Sequence, residues 1–207
     1  EATIALTPVD DPSRYGVVPT DPDGKVLGFV EKPPVGEAPT NWINAGTYVL
    51  EPSVLQRIEP GRKVSIERET FPAIVADGGL WAVQSEAYWV DAGTPETYIQ
   101  VQLDLLDGVR GAAVDGVAAD ASVDPSAVIE RSVVMSGATV AANAIIRGSI
   151  VSMDAVIGER TLIEGSILGP RAVVGAGAKL TEMTMLGDSA RVDDDASLVG
   201  AKIPENE

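Results

Sequence analysis

The chain is 207 residues long, 45% of them apolar, with a formal net charge of −16. That length allows one large or two small domains, each able to bury a core. The charge argues against nucleic acid as a partner, since phosphate backbones are held by basic patches, and no apolar run approaches the roughly 18 residues of a membrane span.

Cysteine and histidine are both absent. The first absence removes disulfides and thiol chemistry and suits a cytoplasmic location. The second removes histidine catalysis and histidine metal ligands from this chain. The first residue is Glu1, in mid-strand pattern, so the chain is expected to be a piece of something longer.

In chain order, "ATIALTPV" (2–9) alternates as a strand. "YGVVPTDPDGKVLGFVEKP" (15–33) reads as two strands around a "DPDG" turn in which Gly24 takes positive φ. "INAGTYVL" (43–50) is another strand, and "PSVLQRI" and "SIERETFPAIVA" are short helical patterns, the second with Ser65 as N-cap. "LWAVQSEAYWV" (80–90) supplies one or two more strands. Thr94 then caps a helix with Pro95 in its first position, running to Gly108. Interleaved strands and helices predict an α/β or α+β domain over 1–107. The Gly/Ala-rich segment 108–116 reads as a linker.

From about Val117 the pattern changes. A small residue, any residue and an apolar residue recur in steps that add up to 17, as in "ASVDPSAVIERSVVMSG" and "ATVAANAIIRGSIVSMD". One apolar column holds Val123, Val140, Ile157 and Val174; a second holds Ile129, Ile146, Ile163 and Leu180; a third holds Val134, Val151, Leu168 and Met185. Three columns per repeat predict three short strands per coil, stacked about 4.8 Å apart, over 117–207. A helix would want steps of three and four. The phase is expected to slip by one residue after Met185, with Val192 and Leu198 carrying a last coil. The register puts Glu130, Arg147 and Glu164 in one column, read as an exposed ladder of alternating charge.

The segments "RYGVV" (14–18), "VEKP" (30–33), "INAGTYVLEP" (43–52), "SIERETFP" (65–72) and "YWVDAGTPETY" (88–98), followed by that solenoid, resemble the sugar-1-phosphate nucleotidyltransferases. The nearest branch is the mannose-1-phosphate guanylyltransferase type. The resemblance implies part of an α/β nucleotidyltransferase domain, a mixed sheet with helices, followed by a left-handed parallel β-helix of hexapeptide repeats. It also implies Mg²⁺ as cofactor, a sugar 1-phosphate and a nucleoside triphosphate as substrates, and a homo-oligomer formed through the β-helix. Family members begin with a "GGxGTRL"-like loop for the triphosphate and carry an earlier metal-binding aspartate. Neither is present in these residues, so the chain is expected to be inactive alone.

The reaction so implied joins two polyanions, which calls for charge neutralisation and in-line positioning. By resemblance Glu31 accepts hydrogen bonds from sugar hydroxyls and Lys32 meets the sugar phosphate. Asn44 can both donate to and accept from a hydroxyl, with the small Ala45 and Gly46 admitting a ligand to the backbone. Gly16 offers another backbone approach. "SIERETFP" reads mainly as a capped helix with exposed charges and Phe71 in the core, with Glu67 as a sugar ligand the lesser alternative. Asp91 is a turn-former on its residues alone; by resemblance it is a metal ligand and catalytic. Three alternatives stay open: a thymidylyl- or uridylyltransferase acting on glucose 1-phosphate, a non-catalytic assembly or regulatory subunit, and a hexapeptide-repeat acyltransferase. The missing histidine base counts against the last.

Overall fold

The computed structural model describes residues 1–205, which divide into two compact units, one of Glu1–Trp89 and one from Val90 onward. In the first, β1 (Ala2–Pro8), β2 (Gly16–Val17), β3 (Val30–Glu31), β4 (Trp42–Leu50) and β5 (Leu80–Gln84) form one mixed sheet in the order β3-β2-β4-β1-β5. Only the β1–β5 pair is parallel. Between β2 and β3 the chain reverses at Asp21–Lys25. The Asp21 carboxylate accepts from Asp23 N and Lys25 N, and Gly24 takes a φ of 89°.

Ser65 caps the expected helix by accepting from Arg68 N at 3.3 Å. The helix is irregular, with one π turn over Ile66–Thr70 leading into α1 (Phe71–Ala76). Phe71 has no exposed surface and meets Tyr48 edge-on at 4.9 Å and Phe29 at 5.9 Å. Together with Ile4, Leu6, Ile74 and Leu80 it closes the core on one face of the sheet. Each such buried side chain stabilises the fold by about 1.5–3 kcal/mol.

The second unit holds α2 (Pro95–Leu106) and a parallel solenoid of five coils with three strands each. Thr94 and Thr97 form a capping box at the start of α2, with Pro95 in the first turn. The first two columns are in the register predicted: Val123, Val140, Ile157, Val174 and Val192 stack, as do Ile129, Ile146, Ile163, Leu180 and Leu198.

The third column corrects its expectation. Leu168 pairs with Leu186, and Met185 pairs with the outward-pointing Ile167. The extra residue therefore enters before Met185, in a turn where both Glu182 and Met183 take positive φ (52° and 62°). Behind the middle coils the small residues are buried, and in the third column they are the hydroxyls Ser132, Ser149, Ser166 and Thr184. Ser149 N donates to Ser132 Oγ and Ser166 N to Ser149 Oγ, each at 3.1 Å, while Ser149 Oγ donates to Arg147 O at 2.7 Å. This ladder satisfies backbone groups inside a corner that water does not reach. Glu130, Arg147 and Glu164 are adjacent across coils and exposed. Arg147 Nε lies 2.7 Å from Glu130 Oε2 and its Nη1 lies 3.4 Å from Glu164 Oε1.

Candidate active site

The predicted sugar residues gather on one row of the sheet. Gly16 pairs with Glu31, and Val17 with Ile43, so one step along sets Gly16 beside Asn44. Directly paired residues share a face of a sheet, so Glu31, Gly16 and Asn44 form a line across three strands. A Cβ on Gly16 would stand 2.6 Å from the Phe29 ring and 3.2 Å from Glu31 Oε2. The missing side chain is what lets that ring and that carboxylate lie over β2.

Lys32 follows with a φ of 49°, although the residue before a proline ordinarily stays extended. Its N–H donates to Tyr15 O at 3.0 Å, which holds the turn, and its Nζ lies 3.8 Å from Glu31 Oε1. A left-handed conformation costs a residue of this kind about 1–2 kcal/mol, and such strain concentrates at functional sites.

Asn44 is buried and donates both amide hydrogens within the protein, to Glu67 Oε1 at 2.7 Å and Tyr48 Oη at 2.8 Å. Its Oδ1 accepts from Gly46 N at 2.8 Å. The expectation that Asn44 would donate to a hydroxyl meets a side chain whose donors are taken; one lone pair on Oδ1 is left. Opposite Ala5, β4 carries extra residues, because Ile4 pairs with Tyr48 and Leu6 with Asn44. Ala45, Gly46 and Thr47 form this bulge. Gly46 has a φ of 76° with open space where a Cβ would stand, and the Ala45 carbonyl accepts from Trp89 Nε1 at 3.1 Å. Trp89 in turn meets Tyr15 edge-on at 5.9 Å.

The π turn brings two further groups to the row. Glu67 is held by Asn44, and Arg68 Nη2 reaches within 4.0 Å of Glu31 Oε1. Burial raises the Tyr48 phenol above its ordinary pKa, with the Glu67 charge adding to the rise and the Asn44 hydrogen bond opposing it.

Asp91 belongs to the second unit and is exposed, in the irregular stretch ahead of α2. Its carboxylate folds back over Gly93, with Oδ1 3.0 Å from where a Cβ would stand. No group of three or more acidic, His or Cys side chains that could hold a metal occurs among the described residues. Asp91 alone fits as one oxygen ligand of a hard cation that takes its other ligands from phosphates and water.

A family model described as "Nucleotidyl transferase" matches residues 1–108, more than half of the chain, and one described as "GMPPB C-terminal domain" matches 116–207. The chain belongs to the nucleotidyl transferase family. Within that family, it is 41% identical over 148 residues to the mannose-1-phosphate guanylyltransferase of Mycobacterium tuberculosis, covering 67% of this chain and 41% of the relative. It is 46% identical over 136 residues to the probable mannose-1-phosphate guanylyltransferase 1 of Oryza sativa subsp. japonica, covering 65% and 37%. It is 40% identical over 136 residues to the mannose-1-phosphate guanylyltransferase catalytic subunit beta of Dictyostelium discoideum, covering 62% and 37%. The chain thus spans about two fifths of the length of the curated relatives it matches.

In this nucleotidyl transferase chain the structure brings Gly16, Glu31, Lys32 and Asn44 together with Glu67 and Arg68. Residue reasoning placed the last two mainly on a capped helix with exposed charges, with Glu67 as a sugar ligand the lesser alternative. The signal that would have favoured Glu67 is the polar Asn44 on the otherwise apolar stretch of β4 before the bulge, which needs a partner once buried.

Proposed function

We propose that the protein carrying this chain transfers a nucleotidyl group from a nucleoside triphosphate to a sugar 1-phosphate, with GTP and mannose 1-phosphate as the substrates. An oxygen of the sugar phosphate attacks the α-phosphorus; that P–O bond forms as the bond to the bridging oxygen breaks, and pyrophosphate leaves with the electron pair. The observation that carries the reading is the row Glu31–Gly16–Asn44 with Glu67 locked above it.

In this reading the Glu31 and Glu67 carboxylates accept hydrogen bonds from sugar hydroxyls, and the open bulge at Ala45–Gly46 admits the ring to the backbone. Lys32 meets the sugar phosphate, where its charge offsets the repulsion between the two reacting anions. Asp91 would supply one oxygen to Mg²⁺. That ion, when bound, neutralises phosphate charge and aligns the two reactants. The names of the relatives support mannose and guanine over other pairs. Without cysteine the chain suits a reducing compartment, and we place it in the cytoplasm as a homo-oligomer that meets through the solenoid.

The test is an assay of the intact protein with GTP, mannose 1-phosphate and Mg²⁺, followed by other sugar phosphates and nucleotides. GDP-mannose and pyrophosphate in equal amounts are expected. No nucleotide-sugar from any pair would overturn the reading, and a glucose or thymidine product would overturn its substrate half. Light scattering of the protein with and without residues 117–207 tests the assembly; an equal number of subunits for both would sink that part.

A further inference from the structure

Two cations of the first unit reach one oxygen. Lys32 Nζ lies 3.8 Å and Arg68 Nη2 4.0 Å from Glu31 Oε1, the first from the turn after β3 and the second from the π turn ahead of α1. Both distances are too long for a hydrogen bond, so the charges face the carboxylate with their N–H groups unspent on it. The two cationic side chains are open to solvent, at 61% and 68%, whereas that of Glu31 is only 23% exposed.

The neighbouring guanidiniums are closed within the protein. Arg57 holds Glu1 at 2.6 Å and Asp77 at 2.8 Å, and Arg62 holds Glu59 and Glu69 at 2.9 Å each. The carboxylates on either side of Arg68 in sequence are also taken. Glu69 accepts from Ser65 N as well as pairing with Arg62, and Glu67 accepts from Asn44. The Arg68 fork is thus left open beside the row, on a kind of turn that is frequent at functional sites.

Charge points to what the open fork takes. With Lys32 alone, the two carboxylates Glu31 and Glu67 would leave the row net negative. A phosphate monoester carries about −1.5 to −2 at neutral pH and would be repelled there. Arg68 brings the row to neutrality. Since both nitrogens lie near the same oxygen, they stand no more than about 8 Å apart. A phosphate that accepts a bond of about 2.8 Å through each of two oxygens spans such a gap, and the planar guanidinium suits it. We infer that Arg68 is a second phosphate-binding residue, which with Lys32 clamps the phosphate of the sugar 1-phosphate while Glu31 and Glu67 take its hydroxyls. The inference rests on the proposed sugar 1-phosphate reading of the row, and it adds a selection: two cations favour a monoester over a diester or an uncharged sugar.

Calorimetry on the intact protein decides it, with mannose 1-phosphate and GDP-mannose as ligands. Both bring the same sugar, but the phosphate next to it carries nearly two charges in the first and one in the second. Arg68→Gln is expected to weaken mannose 1-phosphate about 10-fold and GDP-mannose only about 3-fold. Arg68→Lys, which keeps the charge without the fork, should restore most of the loss, and the control Arg62→Ala should leave both affinities within about 2-fold. Equal weakening of the two ligands overturns the clamp and makes Arg68 a support of Glu31, which meets the sugar in either. Unchanged affinity in Arg68→Gln overturns it outright and leaves the sugar reading standing. A native protein that binds no sugar 1-phosphate overturns the proposed function itself, and the clamp with it.

Discussion

The Asn44 amide donates to the Glu67 carboxylate at 2.7 Å, tying the strand that carries the bulge to the π turn 23 residues later. Removing that donor leaves a half-buried carboxylate oxygen short of a partner. Asn44→Asp places a second carboxylate against Glu67 and is expected to destabilise the first unit by about 2–4 kcal/mol. Asn44→Ala is expected to cost less, because it removes the partner without adding a charge. Urea denaturation of both variants checks the order; equal losses would show that repulsion plays no part.

Gly16→Ala is expected to be disruptive for its size. The added methyl meets the Phe29 ring at 2.6 Å and Glu31 Oε2 at 3.2 Å, so the ring, the carboxylate or the strand must shift. Overpacking of this kind costs about 1–3 kcal/mol. Affinity for mannose 1-phosphate, measured by calorimetry on the intact protein, is expected to fall with stability. Gly28→Ala serves as the comparison, since the nearest atom to a Cβ there is 3.8 Å away.

How much of this was legible beforehand differs from residue to residue. The 17-residue period, the Asp21 turn and the Ser65 and Thr94 caps follow from local spacing and residue type, and all are in the structure. The site of the inserted residue was not legible, because Met185 and Leu186 are both apolar and either could continue the column. Nor were the spent donors of Asn44, since a hydrogen bond to Glu67 depends on how the π turn docks.

Alkaline pH is expected to weaken the first unit. The Tyr48 phenol is raised above its ordinary value of 10.0, chiefly by burial, so the folded state keeps this proton to higher pH than the unfolded chain does. The stabilising contribution is complete below pH ~10 and is lost as pH rises through the folded value. Melting temperatures from pH 8 to 11 should fall more steeply for the native protein than for Tyr48→Phe. Parallel curves would contradict the assignment.

In the solenoid, Ser149→Ala should cost far more than any change on the charge ladder. Ser149 has no exposed surface, and its loss leaves Ser166 N without a partner, while Arg147 O keeps the Gly165 N–H. A cost of about 1–3 kcal/mol is expected. Glu164→Gln, on an exposed and more distant contact to Arg147, should change stability by under about 0.5 kcal/mol. Thermal unfolding of the two variants reads the contrast directly.

Repeat arrays ordinarily gain and lose units freely, since each contacts only its neighbours. Here the third-face corner passes a hydroxyl from coil to coil, Ser132 Oγ accepting from Ser149 N and Ser149 Oγ from Ser166 N, so an inserted coil must bring a hydroxyl to the same corner. The single extra residue is absorbed in the turn at Glu182–Met183, and Thr184 still takes the corner, its Oγ1 accepting from Ala201 N at 3.3 Å. The corner hydroxyl thus acts as a gauge of register: this solenoid can vary in the length of its turns and not in what stands at that corner.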